Sequence, residues 1–130
     1  MAADLHLLFT LLVVFQIKHY LCDFPLQVRW MLQKVNEGWS FFVPLAVHCL
    51  VHAAMTLLIV FYYAGAKFWW LAIVDWVAHF VMDRIKAGPK YLGRFRDRDK
   101  SSYWNALGFD QMIHHITSFY IVWVIISNPN

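Results

Sequence analysis

Ionisable side chains recur four residues apart inside the most apolar segments of this chain. The stretch DWVAHFVMDRIK, residues 75–86, places Asp75, His79 and Asp83 at positions i, i+4 and i+8, so all three lie on one face of a helix. A carboxylate at the centre of a bilayer costs on the order of 3 kcal/mol on insertion scales. The other apolar segments repeat this spacing with the pairs His19 and Asp23, His48 and His52, and Asp110 and His114. We therefore expect four helices to point imidazole and carboxylate groups at one common site.

The composition is that of a membrane protein. Of the 130 residues, 61% are hydrophobic and 18% are aromatic, which lies outside the usual range of soluble domains. The length predicts a single domain over residues 1–130. The first apolar run starts close to Met1 without a preceding basic region, so we interpret it as a spanning helix and not as a cleaved signal. Cys22 and Cys49 are too few for a disulfide framework and are expected to be buried packing residues.

The predicted fold is an all-α membrane protein with four transmembrane helices in an up-down bundle. The predicted helices cover residues 4–23, 39–64, 68–86 and 106–126, and each is long enough to cross a hydrocarbon core of about 30 Å. A short amphipathic segment within residues 23–38 carries Trp30 and Met31 against Arg29 and Lys34. This segment predicts an interfacial helix between the first two spans. The three-residue turn at residues 65–67 makes the second and third helices antiparallel neighbours.

Alternating helix directions place all four polar sets at the same side of the bundle. The sets fall at the C-terminal end of the first helix, toward the N-terminal end of the second, in the C-terminal half of the third and at the N-terminal end of the fourth. Both long connections emerge at that side and carry most of the lysines and arginines. The positive-inside rule then predicts cytoplasmic loops and both termini outside. We therefore expect the site to open towards the cytoplasm.

Imidazole and carboxylate groups together suit zinc, manganese, iron or nickel better than calcium or magnesium. The candidate ligands are too many for one tetrahedral ion. We therefore predict two divalent transition-metal ions, with zinc or manganese favoured over iron. The candidate metal ligands are His19, Asp23, His48, His52, Asp75, His79, Asp83, Asp110 and His114. Asp75 and Asp110 are also candidate general bases if they do not bind metal.

Polar residues near the predicted ligands are candidates for substrate binding. Lys86, one turn beyond the last aspartate of the third helix, is the best candidate for a contact to a phosphate. Arg84 lies on the same helix just inside the basic side, and Gln27 and Gln111 are candidates for hydrogen bonds to ligands or substrate. Lys18 lies off the ligand face by helical spacing, so we do not expect it to neutralise the aspartates.

Two metal ions in a site open to the cytoplasm would activate water and bind an oxyanion, as in phosphoester hydrolysis. We therefore predict a membrane-embedded, metal-dependent hydrolase acting on a phosphorylated substrate, either a lipid headgroup or a nucleotide. The expected partners are the lipid bilayer and this anionic small-molecule or lipid substrate. Binding to duplex nucleic acid is not expected, and a homo-oligomer is left open. Three alternatives remain: a di-iron oxygenase or desaturase, a metal transporter, and a non-enzymatic protein whose helices are held together by metal.

Four motifs carry a resemblance to a known family. They are HYLCDFPLQ at residues 19–27, His48 in the second helix, HFVMDRIK at residues 79–86 and FDQMIHH at residues 109–115. Together they resemble the small membrane proteins of bacteria and phages catalogued as domain of unknown function 3307. The resemblance implies a bacterial inner-membrane, multi-pass location and a similarity in outline to inner-membrane metal-dependent hydrolases. It also implies a polar set consisting of His19, Asp23, Gln27, His48, His79, Asp83, Lys86, Asp110, Gln111 and His114.

Overall fold

The protein is all-helical. A computed structural model describes residues 2–128, and its four α-helices are named α1 to α4 in chain order. They are α1 Ala2–Asp23, α2 Phe42–Ala64, α3 Trp70–Ala87 and α4 Ser101–Ser127. Three 3-10 helices, Arg29–Val35, Ala66–Phe68 and Leu92–Arg94, lie in the connections. Within the described range there is no β-strand, which confirms the all-α class; Met1, Pro129 and Asn130 of the predicted domain lie outside that range.

The four α-helices form a closed ring. Helix α1 packs on α2, α2 on α3, α3 on α4, and α4 returns to α1. Gly65 sits in the tight connection between α2 and α3, and its φ of 80° lies in the left-handed region that glycine adopts without steric cost. This turn makes α2 and α3 neighbours. As a result, the C-terminal end of each odd-numbered helix lies beside the N-terminal end of the next one.

The helix boundaries differ from the sequence prediction in three connections. Helix α4 begins at Ser101 and not at Ala106, because polar residues that were predicted as loop extend the helix beyond its apolar part. The starts of α2 and α3 are residues 42 and 70 instead of residues 39 and 68. The amphipathic segment is a 3-10 helix, Arg29–Val35, with Met31 as its buried residue. The predicted number and order of the long helices are unaffected.

The end of the bundle near the α2–α3 turn is filled by apolar side chains. Leu11 and Phe15 of α1, Val60 of α2, Leu71 of α3 and Ile121 of α4 are all fully buried there and belong to one hydrophobic cluster. Burying a side chain of this size contributes about 1.5–3 kcal/mol. This cluster therefore fixes the relative positions of the helices, and it leaves the opposite end for the polar residues.

The outer surface of the bundle is apolar. On α1, Leu5, Phe9, Val13 and Ile17 are spaced four apart and each is at least 40% exposed. Two of the described helices, Asp4–Asp23 and Phe42–Ala64, are long and apolar enough to cross a membrane, yet only 28% and 44% of these segments are buried. A core helix of a soluble protein would be mostly buried. By the same measure α3, with four charged residues, and α4 do not qualify as spans.

Candidate metal centre

The four helices bring the predicted ligands together at one end of the bundle. Eight of the nine candidate residues fall into three groups whose ligand atoms lie within 4.8 Å of one another. The groups are His19, His52 and His79; Asp23, His48 and His52; and Asp83, Asp110 and His114. The i, i+4 spacing on each helix stacks two ligands on the inner face, which is why short sequence separations become a compact cluster.

Asp23, at the last position of α1, is surrounded by imidazoles. One carboxylate oxygen, Oδ1, lies 2.9 Å from Nε2 of His52 and 3.4 Å from Nε2 of His48, while Oδ2 lies 3.0 Å from Nε2 of His19. The side chain of Asp23 is 21% exposed, whereas those of His48 and His52 are fully buried. Three imidazoles and one carboxylate match the donor number and donor types of a tetrahedral transition-metal site.

A second group of ligands lies between α3 and α4. Nε2 of His114 lies 3.0 Å from Oδ1 of Asp83 and 3.1 Å from Oδ1 of Asp110. His48 links this group to the first one, because its Nε2 is 3.3 Å from Oδ2 of Asp83 and 3.4 Å from Oδ1 of Asp23. The two groups are therefore adjacent, and each offers donors of the kind that bind a transition-metal ion.

Asp75 orients His79 instead of joining the three groups. Nδ1 of His79 lies 3.0 Å from the backbone carbonyl oxygen of Asp75 and 3.1 Å from its Oδ1. Both oxygens can only accept a hydrogen bond, so Nδ1 carries the proton and Nε2 carries the lone pair. The other carboxylate oxygen, Oδ2, accepts from Thr56 at 2.7 Å and from the ammonium of Lys18 at 2.6 Å.

Buried histidine nitrogens that lack a hydrogen bond indicate whether a metal ion fits this site. Nε2 of His79 is buried and has no hydrogen-bond partner, and Nε2 of His48 is buried beside carboxylate oxygens at 3.3 and 3.4 Å that do not complete a hydrogen bond with it. The ring of His79 lies 3.9 Å from that of His52 and 4.2 Å from that of His114, measured between centroids. A buried imidazole nitrogen without a partner loses its hydration without compensation. Coordination to a metal ion would satisfy these lone pairs, so the residues present fit such a group.

A cavity of about 370 Å³ lies beside this cluster. Asp83 contributes to its wall, and Lys34, Lys86, Arg96 and Arg98 supply four cationic side chains. The remaining wall is mostly apolar and includes Val35, Ala87, Leu92, Gly93, Phe95, Tyr103, Ala106 and Leu107. The cavity therefore offers positive charge beside the candidate metal ligands.

The four predicted substrate-binding residues do not form one group, and only one of them lines the cavity. Lys86 lines the cavity, with Nζ 3.3 Å from Oδ2 of Asp110. Gln111 lies in the cluster, 3.1 Å from Nε2 of His19 through its Oε1. Gln27 accepts a hydrogen bond from Lys34 and donates to the backbone of α1. Arg84 packs 3.5 Å above the ring of Phe41 and donates to the backbone oxygens of residues 34 and 36, so it anchors the 3-10 helix.

Two lysines in the site were not expected from the sequence. Lys18 is only 2% exposed and pairs with Asp75, contrary to the expectation that helical spacing directs it away from the aspartates. Helical spacing places Lys18 off the ligand face, but its four-carbon side chain is long enough to reach Asp75. Lys34 lies in the 3-10 helix, and its Nζ is 2.8 Å from Oδ2 of Asp83. Cys22 and Cys49 are buried free thiols, as predicted, and do not belong to any of the three groups.

Comparison with known proteins gives one family. A family model described as protein of unknown function, DUF3307, matches residues 8–130. No curated protein and no solved structure matches the chain. The match includes all four motifs and every candidate ligand described above, and it covers nearly the whole sequence. The chain is therefore a member of the DUF3307 family.

Proposed function

We propose that this protein is a membrane-embedded, metal-dependent hydrolase that acts on a phosphorylated substrate. The observation that carries the proposal is His79, whose Nδ1 is held by Asp75 and whose buried Nε2 has no partner. A carboxylate or carbonyl that fixes the tautomer of a histidine is the usual arrangement behind a metal ligand. Two divalent ions, zinc or manganese, would be held by the adjacent groups, one by His79 with His19, His52 and the neighbouring Asp23, and the other by the group around Asp83.

The distribution of polar and apolar residues supports a membrane location. Charged and imidazole side chains fill the interior at one end of the bundle, whereas large apolar side chains cover the outside of all four helices. On α4, for example, Ile116, Phe119 and Trp123 are about half exposed. Water would penalise such a surface, and lipid would not. We propose four transmembrane helices in a bacterial inner membrane, with the basic connections in the cytoplasm.

The cavity supports an anionic substrate. Four cationic side chains surround it, and a cluster of like charges raises the local concentration of anions. Its volume of about 370 Å³ lies within the usual range of small-molecule sites. A phosphate group that entered from the loop side would meet Lys86 before it reached Asp110 and Asp83. The surrounding apolar wall would accept the rest of a lipid headgroup or of a nucleotide.

Bound metal would supply an activated water and a counter-charge for the phosphoryl oxygens. Side chains of the protein would supply the general base and position the metal ligands. Asp110 contacts Lys86, which lines the cavity, and it is the better of the two candidate bases if it does not bind metal. Asp75 is fully enclosed and already shared by Lys18, Thr56 and His79, so its role is to position His79.

Transport of the metal is less well supported. Beyond the layer of Thr56 and Asp75, the far end of the bundle is closed by the apolar cluster that contains Leu11, Val60 and Ile121. An ion that entered from the basic side would therefore have to cross this apolar layer to leave on the other side, at a high energetic cost. Metal that only holds the helices together is also less well supported, since structural sites are coordinatively closed and this cluster adjoins a cavity.

The experiment compares metal content and phosphoesterase activity in wild-type protein and three variants. Purified protein in detergent is analysed for zinc, manganese and iron, and is assayed on a phosphorylated lipid in mixed micelles and on a soluble nucleotide. His79→Ala and Asp83→Asn should lose metal and activity, whereas the neighbouring His115→Ala should keep both. Wild-type protein without stoichiometric metal would refute the proposal. Bound iron without phosphoester hydrolysis would favour the oxygenase alternative.

A further inference from the structure

The three buried aspartates in the site are each paired with a lysine. Asp75 pairs with Lys18 inside the bundle, while Asp83 pairs with Lys34 and Asp110 pairs with Lys86. Asp23 is partly exposed and differs, since its neighbours are histidines. Lys18 is enclosed, but the other two lysines also line the cavity. Two ammonium groups therefore stand between the candidate metal ligands and the opening.

These two lysines bind the same carboxylates that face His114, but through the other oxygen of each: His114 contacts Oδ1 of Asp83 and of Asp110, and the lysines contact Oδ2. Nζ of Lys34 lies 2.8 Å from Oδ2 of Asp83, and Nζ of Lys86 lies 3.3 Å from Oδ2 of Asp110. Both aspartates belong to one candidate metal group with His114. A divalent cation held by Oδ1 of both aspartates and by His114 would neutralise each carboxylate and repel the ammonium group on its Oδ2. Metal binding would therefore weaken both lysine–aspartate pairs.

The cavity can accept the side chains of Lys34 and Lys86 once metal binding has weakened their pairs with the aspartates. The side chain of Lys86 is 39% exposed and that of Lys34 is 17% exposed, and both are long and flexible enough to turn towards the cavity. Gln27 also accepts a hydrogen bond of 2.9 Å from Nζ of Lys34, so this ammonium keeps a polar partner when Asp83 releases it. Arg96 and Arg98 line the same cavity. Four cations would then face a space large enough for a tetrahedral oxyanion.

We propose that Lys34 and Lys86 couple metal binding to phosphate binding. In the metal-free protein they neutralise Asp83 and Asp110, and in the metal-loaded protein they bind a phosphate or phosphate-monoester group in the cavity. This inference rests on the proposed metal centre but adds a property that a hydrolase need not have. The two ligands bind with positive coupling, so each raises the affinity of the protein for the other by the same factor.

The test measures binding and not turnover. Detergent-purified wild-type protein is dialysed against radiolabelled inorganic phosphate with no metal, with Mn²⁺ or with Zn²⁺. We expect loading with metal to tighten phosphate binding by about tenfold, within the usual range of such coupling. The tightening should fall below about twofold in Lys86→Met and in Lys34→Met if the two lysines carry the coupling. Lys86→Arg should retain most of it, because arginine also binds phosphate.

Lys100→Met is the matched control. Lys100 also pairs with an aspartate, Asp97 at 3.3 Å, but its side chain is 71% exposed and it is not part of the cavity wall. This variant removes the same charge and should leave the coupling unchanged. A second readout separates the role of Lys86 from simple charge: without phosphate, Lys86→Met should bind Mn²⁺ more tightly than wild type, since nothing competes for Asp110.

The outcomes distinguish this inference from the proposed function. If metal binds and the phosphate affinity of wild-type protein stays the same, the coupling is refuted and the metal centre stands. An equal loss of coupling in Lys100→Met would also refute it, because the effect would then be one of net charge. If neither Mn²⁺ nor Zn²⁺ binds stoichiometrically, both proposals fail together. Because Lys86 is partly exposed, its variant should fold even if Lys34→Met does not.

Discussion

Replacing Lys18 with methionine should destabilise the protein strongly, although the substitution preserves the shape of the side chain. The ammonium of Lys18 lies 2.6 Å from Asp75, and the two side chains are 1% and 0% exposed. Removing one partner of a buried ion pair leaves the other charge without compensation, which costs about 3–5 kcal/mol. Thr56 still donates to Asp75 in the variant, so we expect a loss at the lower end of that range.

The free energy of unfolding is measured by titrating purified protein in mixed micelles with a denaturing detergent. Lys100→Met serves as the control, because exposed pairs contribute only about 0–1 kcal/mol. The double variant Lys18→Met, Asp75→Asn should be less destabilised than Lys18→Met alone, since no unpaired charge remains. A loss below about 1 kcal/mol for Lys18→Met would refute the reasoning, because it would mean that Asp75 is hydrated or protonated without its lysine.

Three further predictions concern the metal. Asp75→Asn should lower metal affinity, towards the lower end of about 10–100-fold, measured by equilibrium dialysis, because His79 loses the negative charge beside Nδ1 but keeps its bond to the backbone carbonyl. Adding a chelator should lower the stability of wild-type protein by about 2.7 kcal/mol for each site when metal had been present at a hundred times its dissociation constant, and by less in His114→Ala, which keeps only the ligand group around Asp23; an equal effect on that variant would contradict the assignment of His114. Lowering the pH to about 5.5 should release metal, since protons compete for imidazole ligands; metal content that does not vary with pH would contradict histidine ligation.

The position of the site could be predicted from the sequence, because the helical spacing of the ligands and the alternating helix directions place them at the same end of the bundle. The spacing of His48 and His52, or of Asp110 and His114, places both groups on one helix face, and alternating helix directions bring these faces to the same end. Neither step requires knowledge of side-chain conformation. The structure places eight of the nine predicted ligands within the three groups, and Asp75 lies one layer deeper beside Lys18 and Thr56.

The features that the sequence did not predict depend on side-chain reach and on short-range geometry. A helical wheel gives the direction in which Lys18 leaves its helix, but not the point that a flexible side chain reaches. The segment Arg29–Val35 spans only seven residues, over which three and 3.6 residues per turn give almost the same pattern. That segment carries Lys34 to Asp83, so the polar partner of Asp83 could not be identified from the helices alone.

The start of α4 is another feature that the sequence did not predict. The polar residues from Ser101 to Asn105 resemble a loop in composition, yet they continue the helix. The indole nitrogen of Trp104 donates to the backbone oxygen of Arg98 at 2.8 Å, which ties this first turn to the preceding connection. The cavity lies against this turn, through Tyr103 and Ala106. A helix that began at Ala106 would leave that wall without a defined structure.

The apolar cluster at the far end of the bundle has a consequence for the membrane itself. In an energy-conserving membrane, a hydrated and charged chamber open to both sides would conduct protons and dissipate the electrochemical gradient. Leu11, Phe15, Val60, Leu71 and Ile121 close the bundle beyond Asp75 without a polar group among them, and ions cross such a layer only at high energetic cost. Within the proposed four-span arrangement, the protein can therefore hold several charges below the membrane surface without acting as a leak.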